Sequence, residues 1–409
     1  MTEIDRREFL VRAGGGLAAV SIVPSLARAG QASSREPIGV GVVGIGRQGR
    51  LILGELSKLD GARVLGVCDP DERRARSGER RARGSKAFAS LDEMLSALPG
   101  IEAVVVATPT HLHAEPVGRA IDAGKHVYCE APLAHTVAEA ESIVRSARGA
   151  QGVVAGGLQA RSNPVYQLAR TFFKSDAVRD LASMRAQRNE KRTWVVPSSD
   201  RARWAQLNWK LDPSVSIGLG GEWGTHQFDV FHWYTDRYPS RVIGRGAVRA
   251  HRDGREIADT ISCMLEFEDG AVISYGATLG NSYQGTHEVF YGTNAAIKLA
   301  WTHGWMFKEA DAPTQGWEVY ANRQQFHNDE GITLIADATK LASQGKLQEG
   351  VGLPHHPVYY ALEDWLDAIA AGSTPACTLA EAARATAVGI AADRAVRSEQ
   401  IVDVEMPGV

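Results

Sequence analysis

Cysteine is scarce in this chain. Four occur among 409 residues, Cys68, Cys129, Cys263 and Cys377, with no CxxC and no His/Cys cluster at zinc spacing. That spacing gives neither a disulfide framework nor a zinc fold. Cys68 and Cys129 each end an apolar run and read as small buried hydrophobes. An excess of one charge is also lacking: 45 Lys and Arg stand against 48 Asp and Glu, a formal net charge of −3. A nucleic-acid binder needs a basic face, so no nucleic-acid partner is expected. Beyond the first thirty residues no apolar run is long enough to span a bilayer, so no stable membrane insertion is expected. HExxH, the P-loop and G-x-S-x-G are all missing, and His355-His356 has no carboxylate or Cys at metal spacing. No metal is expected. What remains is an ordinary globular composition, 44% hydrophobic and 23% charged, with chain enough for two or three domains.

The N-terminus carries Arg6-Arg7-Glu8-Phe9-Leu10, then a weakly apolar stretch from Ala13 to Leu26, then Ala27-Arg28-Ala29. The order of arginine pair, short apolar run and small-residue cleavage site resembles a bacterial twin-arginine (Tat) signal. The resemblance implies a signal peptide over 1–29, a flexible leader over 30–36, the Tat machinery as a partner, and a periplasmic or otherwise exported protein folded before it crosses.

Ile38 to Val43 is an apolar run suited to a buried parallel strand. It leads into Gly44-Ile45-Gly46-Arg47-Gln48-Gly49, a G-x-G-x-x-G followed by a helix-like segment. A second apolar run ends in Asp69, twenty positions after Gly49. Gly44 permits the tight turn, Gly46 lets the backbone approach a pyrophosphate, and Gly49 lets the helix pack on the strand. Asp69 would accept hydrogen bonds from the adenosine ribose, which favours NAD, while Arg73 and Arg74 leave room for NADP. Strands over Ile101–Ala107, His126–Cys129 and Val153–Gly157 alternate with helical segments such as Leu91–Leu98 and Ala114–Ala123. This rhythm implies a doubly wound parallel sheet over 37–157 with its ligand at the strands' carboxyl ends. That places Thr108, Pro109, His111, His113, Glu130, Ala131 and Gln159 at the cofactor. For the two histidines, capping or core roles are the alternative.

The ordered set GIGRQG, ATPTHLHA, CEAPLA, GLQARSNP and GGEWGTHQFDVFHW resembles the Gfo/Idh/MocA family of sugar oxidoreductases, over about nine-tenths of the chain. The resemblance implies an α/β fold: a Rossmann domain, then an α/β domain over 158–409 with a large, open, mostly antiparallel sheet. It further implies a last helix packing back toward the first domain and assembly into a homodimer or homotetramer. Alternation over Val242–Arg249 and Thr260–Phe267, with a turn at Glu268-Asp269-Gly270, fits such a sheet.

Two departures stand out. The family's Glu-Lys-Pro lysine, which polarises the substrate hydroxyl, is Ala131 here, and its Asp-x-x-x-His is Glu222-Trp223-Gly224-Thr225-His226. A spacing of four puts Glu222 and His226 on one helix face; His226 is the expected acid/base and Glu222 its orienting carboxylate, with a plain helix salt bridge as the alternative. A histidine titrates near neutral pH and can take the proton as hydride leaves carbon. Lys210, Tyr283 and Arg161 are candidates to replace the lysine, and each also reads as structural or solvated. Trp204, Trp209, Trp223 and Asp229 are candidate substrate contacts, with His232 and Trp233 nearby in sequence. The expected reaction is oxidation of a sugar, polyol or glycoside with tightly held NAD. The alternatives are redox-neutral glycoside cleavage through a transient ring ketone, elimination and hydration, and a non-catalytic sugar sensor.

Overall fold

The first strand is apolar at every position because both its faces are covered. β1 (Ile38–Val43) is buried throughout, and it is flanked by β2 (Ala62–Cys68) and β4 (Ala103–Val106) in parallel register. With β3 (Lys86–Phe88), β5 (His126–Glu130) and β6 (Val154–Gly157) it builds a six-stranded parallel sheet in the order β3-β2-β1-β4-β5-β6. Helices α1 (Arg47–Leu56), α2 (Glu72–Arg81), α3 (Leu91–Ala97), α4 (Ala114–Asp122) and α5 (Val137–Ala147) supply the crossovers. The order reverses between β1 and β4, which opens the crevice where such sheets take ligands.

The structure, a computed structural model, describes residues 36–314, 318, 322–326, 329–336, 341, 344, 346 and 351–409. The expected export signal lies outside the described residues, as does the leader up to residue 35. Residues Ile38–Val409 form one unit. Among the described residues no helix is long and apolar enough to cross a membrane.

After α6 (Pro164–Lys174) the chain enters a second sheet through β7 (Leu181–Asn189). It then passes α7 (Arg201–Leu207), α8 (Gly218–Glu222) and α9 (Gly224–Thr235). Strands β8 (Arg241–Ala247), β9 (Thr260–Glu266), β10 (Val272–Thr278), β11 (Thr286–Gly292), β12 (Ala295–Ala300) and β13 (His303–Lys308) follow, then β14 (Arg323–Phe326) and β15 (Asp329–Thr333). Helices α10 (Pro357–Ala371) and α11 (Leu379–Ser398) precede a last short strand, β16 (Val402–Asp403). The ten strands run β14-β15-β13-β12-β11-β7-β10-β9-β8-β16, antiparallel except where β7 meets β10. The fold is thus the expected pair of sheets. The turn at 268–270 joins β9 to β10, with Gly270 at φ 84°.

One face of the large sheet packs against α9 and α11 around Trp223, Phe228, Phe231 and Phe290. α11 opens on a reciprocal cap, Thr378 and Glu381 each bonding the other's backbone N–H. It packs on α5 and β6 of the first sheet as well as on α8, α9 and β8 of the second layer. This single helix therefore fixes the two halves around the cleft. Its contact with α8 and α9 is close: a Cβ on Gly389 would stand 2.2 Å from the Thr225 hydroxyl of α9 and 3.0 Å from the Gly221 Cα of α8. All four cysteines are free and buried.

Candidate functional site

The glycine-rich turn follows β1. Gly44 has φ 88°, and a Cβ there would meet the Ala107 carbonyl at 2.6 Å; one on Gly49 would stand 1.9 Å from the Gly44 carbonyl oxygen. Gly46 differs: a Cβ there would meet nothing within 4 Å. That open side, at the N-cap of α1, has no capping side chain and no acidic residue in the first turn. Free N–H groups at a helix N-terminus with open space beside them suit a dinucleotide's pyrophosphate. Asp69 is buried at the end of β2; its carboxylate accepts from the Ile45 N–H at 2.8 Å and the Asp71 N–H at 2.9 Å. These bonds hold the turn, and each oxygen keeps a lone pair for a ribose hydroxyl. Burial pushes the Asp69 pKa up. Arg74 lies one turn into α2, where its N–H bonds Asp71.

Opposite, Gln48 donates to Glu130 at 3.0 Å, joining α1 to the end of β5. Burial lifts the Glu130 carboxyl to about 7. Arg47 is exposed and pairs with Glu190, which also holds Arg192. Thr108 and Pro109 form the loop after β4, where the Thr108 hydroxyl bonds the Leu112 carbonyl at 3.1 Å. His111 sits between His135 and Trp209, its Nδ1 without a partner and its pKa lowered by burial.

His226 lines a pocket with Gln159, Tyr166, Gln227, Glu288 and Trp301. Burial, then the Arg188 charge, bring its pKa down to about 3; Lys210 adds to this, while a backbone hydrogen bond with Ala131 opposes it. The ring is therefore neutral at ordinary pH, with Nδ1 the nitrogen lacking a partner. Within the same pocket the Glu288 carboxylate accepts from the Tyr166 hydroxyl at 2.6 Å and from Gln227 at 2.8 Å, and burial raises it to about 7.

Several expectations are corrected here. Glu222 and His226 do not share a helix, because α8 ends at Glu222 and α9 restarts at Gly224 after Trp223. Glu222 faces Lys210, whose ammonium lies 3.0 Å away, and receives the Thr110 hydroxyl at 3.4 Å. Its other oxygen has no partner. Lys210 also lies 5.2 Å from the Trp194 ring centre and 5.1 Å from that of Trp209. His113 is not open to a ligand, since its two ring nitrogens face the Leu133 and Thr108 carbonyls at 3.1 and 3.0 Å. Asp229 is 0% exposed and takes Arg161 in a bidentate pair at 2.9 and 2.8 Å. Arg161 also bonds Glu381, so these side chains are committed to one another in the interior. Trp223 is a buried core residue, edge-on to Trp194. Trp204 is 40% exposed on α7 and Tyr283 is 74% exposed before β11. No hydrogen bond joins Tyr283 to His226, Glu222 or Lys210 among the described residues. His232 stacks on Tyr238 at 3.6 Å.

Sequence reading missed Tyr166, Glu288 and Arg188. Glu288 and Tyr166 are 122 residues apart and meet only in the fold. Arg188 had a signal in the alternation of Met184, Ala186 and Arg188 along β7, two buried residues followed by a charge on the same face.

The comparisons agree with this geometry. The model of the oxidoreductase family with NAD-binding Rossmann fold matches residues 38–158, and that of the GFO/IDH/MocA C-terminal domain matches 166–298. The chain is 29% identical to 2,7-anhydro-N-acetylneuraminate hydratase of Escherichia coli, over 64% of this chain and 67% of that one. It is 27% identical to inositol 2-dehydrogenase 1 of Saccharopolyspora erythraea, over 90% and 96%. The solved structure of levoglucosan dehydrogenase in complex with NADH and levoglucosan superposes with a TM-score of 0.69 at 21% identity, covering 90% of this chain and 99% of that one. The chain belongs to the Gfo/Idh/MocA family of oxidoreductases, with an NAD-binding Rossmann domain and that family's C-terminal domain.

Proposed function

We propose that this protein oxidises a ring hydroxyl of a sugar, polyol or glycoside, with His226 accepting the hydroxyl proton. The observation that carries the reading is the His226 ring: neutral, unpartnered at Nδ1, and set in a pocket beside the Ala131 turn. Bound NAD supplies the hydride acceptor. Gly44, Gly46 and Gly49, with Asp69 and the start of α1, hold its adenosine diphosphate half, and Glu130 and Ala131 border the nicotinamide half. Lys210, placed by Glu222, supplies the positive charge that the missing lysine would give. Its field already reaches His226.

A second reading, redox-neutral cleavage of a glycoside with recycled NAD, is favoured by Ala131 at the lysine position and by the anhydro-neuraminate hydratase among the relatives. Export through the twin-arginine route belongs to our proposal too, resting on the motif at residues 6–29. A tightly held cofactor suits that destination, and a homodimer or homotetramer is the assembly we expect.

The test is His226→Asn on the full chain, assayed with a panel of sugars and glycosides. Loss of about 10²–10⁴-fold in turnover with NAD still bound is expected for a general base; undiminished turnover would remove His226 from the reaction. NADH accumulation in the wild type indicates net oxidation, and cleavage without it indicates the second reading.

A further inference from the structure

Arg188 sits in this cleft with no hydrogen bond or ion pair to its guanidinium among the described residues. It is the last inward-facing residue of β7, after the buried Met184 and Ala186. Its guanidinium lies 4.5 Å from the Trp223 ring centre and 5.3 Å from that of Trp301, which lines the His226 pocket. Arg47 and Arg192 pair with Glu190, Arg203 with Asp71, and Lys210 with Glu222. The nearby carboxylates are committed as well, Glu190 to those two arginines and Glu288 to Tyr166 and Gln227. A guanidinium has five donors in a planar fork and no acceptor. Leaving that fork unmet in a mostly buried place costs free energy, unless a ligand completes it.

We propose that Arg188 receives a carboxylate of the substrate, so that this site takes an acidic sugar, a uronate or related sugar acid, in preference to the neutral one. The proposal rests on the carbohydrate reading above and narrows it. The fork matches a carboxylate in two parallel hydrogen bonds. The two indole rings beside it hold the guanidinium in place through cation–π contact, so little freedom is lost when it binds. The chemistry also gains. Arg188 is the leading charge that weakens His226 as a base, and Lys210 is the next. A substrate carboxylate on Arg188 cancels the larger of these fields and makes the ring a better proton acceptor only when that substrate is present. A phosphate of the dinucleotide is the other anion with matching chemistry, but its cradle is the open side of Gly46.

The test is direct binding to the NAD-loaded full chain by titration calorimetry. Glucose is paired with glucuronate and galactose with galacturonate. We expect at least one uronate to bind more tightly than its neutral partner. Arg188→Met should weaken that uronate by about tenfold to a hundredfold, the size of a lost charged hydrogen-bonded contact, and leave neutral sugar and NAD unchanged. Arg188→Lys should retain part of the preference, and melting of both variants checks that they fold. Uronate binding unmoved by either folded variant overturns the proposal. So does a loss that falls on NAD instead, which would assign Arg188 to a cofactor phosphate. If neutral sugars bind as well as uronates, the carbohydrate reading stands and only the proposal fails. If neither member of either pair binds, both fail for these sugars.

Discussion

Asp229→Asn tests whether the buried carboxylate of α9 serves substrate or structure. Asp229 is fully buried, and both its oxygens are occupied by Arg161, at 2.9 Å from Nε and 2.8 Å from Nη2. An amide presents one acceptor and one donor to two donors, so one contact becomes repulsive and the guanidinium loses its counter-charge. Removing one partner of a buried pair costs about 3–5 kcal/mol. Glu381, partly exposed, still holds Nη1 of Arg161, which puts the expected cost at the lower end, about 3 kcal/mol. At about 2.1 cal/mol/K of unfolding entropy per residue, a chain this long loses roughly 1.2 °C per kcal/mol, so Tm should fall by about 3.5 °C. The assay is a thermal melt beside steady-state kinetics at a temperature where the variant is folded. The double change Arg161→Met with Asp229→Leu should cost less than either single change, because no charge is then stranded. An unchanged Tm with a raised KM would refute the structural assignment and return Asp229 to the substrate.

Gly46→Ala and Gly49→Ala should separate binding from folding. At Gly46 the new Cβ meets nothing within 4 Å, so ligand-free Tm should hold while NAD affinity falls, as read by titration calorimetry. At Gly49 it would stand 1.9 Å from a carbonyl oxygen, so Tm itself should fall. Lys210→Met leaves Glu222 with the Thr110 hydroxyl alone, and should cost about 1–3 kcal/mol in a urea melt, with turnover lowered as well. Glu288 carries a folded pKa of about 7 against an ordinary 4.5, so the folded state holds the extra proton between those values and stability falls as pH rises through them. Glu130 contributes in the same sense, and His226, lowered to about 3, opposes both by adding stability as pH rises toward 6.5. Arg188, Tyr166, Gln227 and His226 surround Glu288. Glu288→Gln should therefore remove roughly 2–4 kcal/mol of pH-dependence between pH 4.5 and 7, seen as the difference between wild-type and variant melts.

The parallel sheet was legible because strands covered on both faces must be continuously apolar. β1 begins and ends where its apolar run does, and β5 and β6 differ from their runs by one residue. The glycine turn was legible because a positive φ at Gly44 and a helix packed on its carbonyl at Gly49 exclude a side chain whatever the surroundings. The break between Glu222 and His226 was not. A spacing of four reports that two residues could share a face, not that the helix runs unbroken between them. Here α8 ends at Glu222 and α9 begins at Gly224, both packed on α11, an arrangement that belongs to the tertiary structure. Asp229 and Lys210 show the same limit. Their residue types fit substrate contacts, but their partners, Arg161 and Glu222, lie 68 and 12 positions away and are chosen by the fold. Arg188 is the clearest case. Its charge was in the sequence, but its lack of a partner is a statement about every carboxylate around it. Only the tertiary structure, by committing Glu190 to two arginines and Glu288 to Tyr166 and Gln227, leaves that one guanidinium for a ligand.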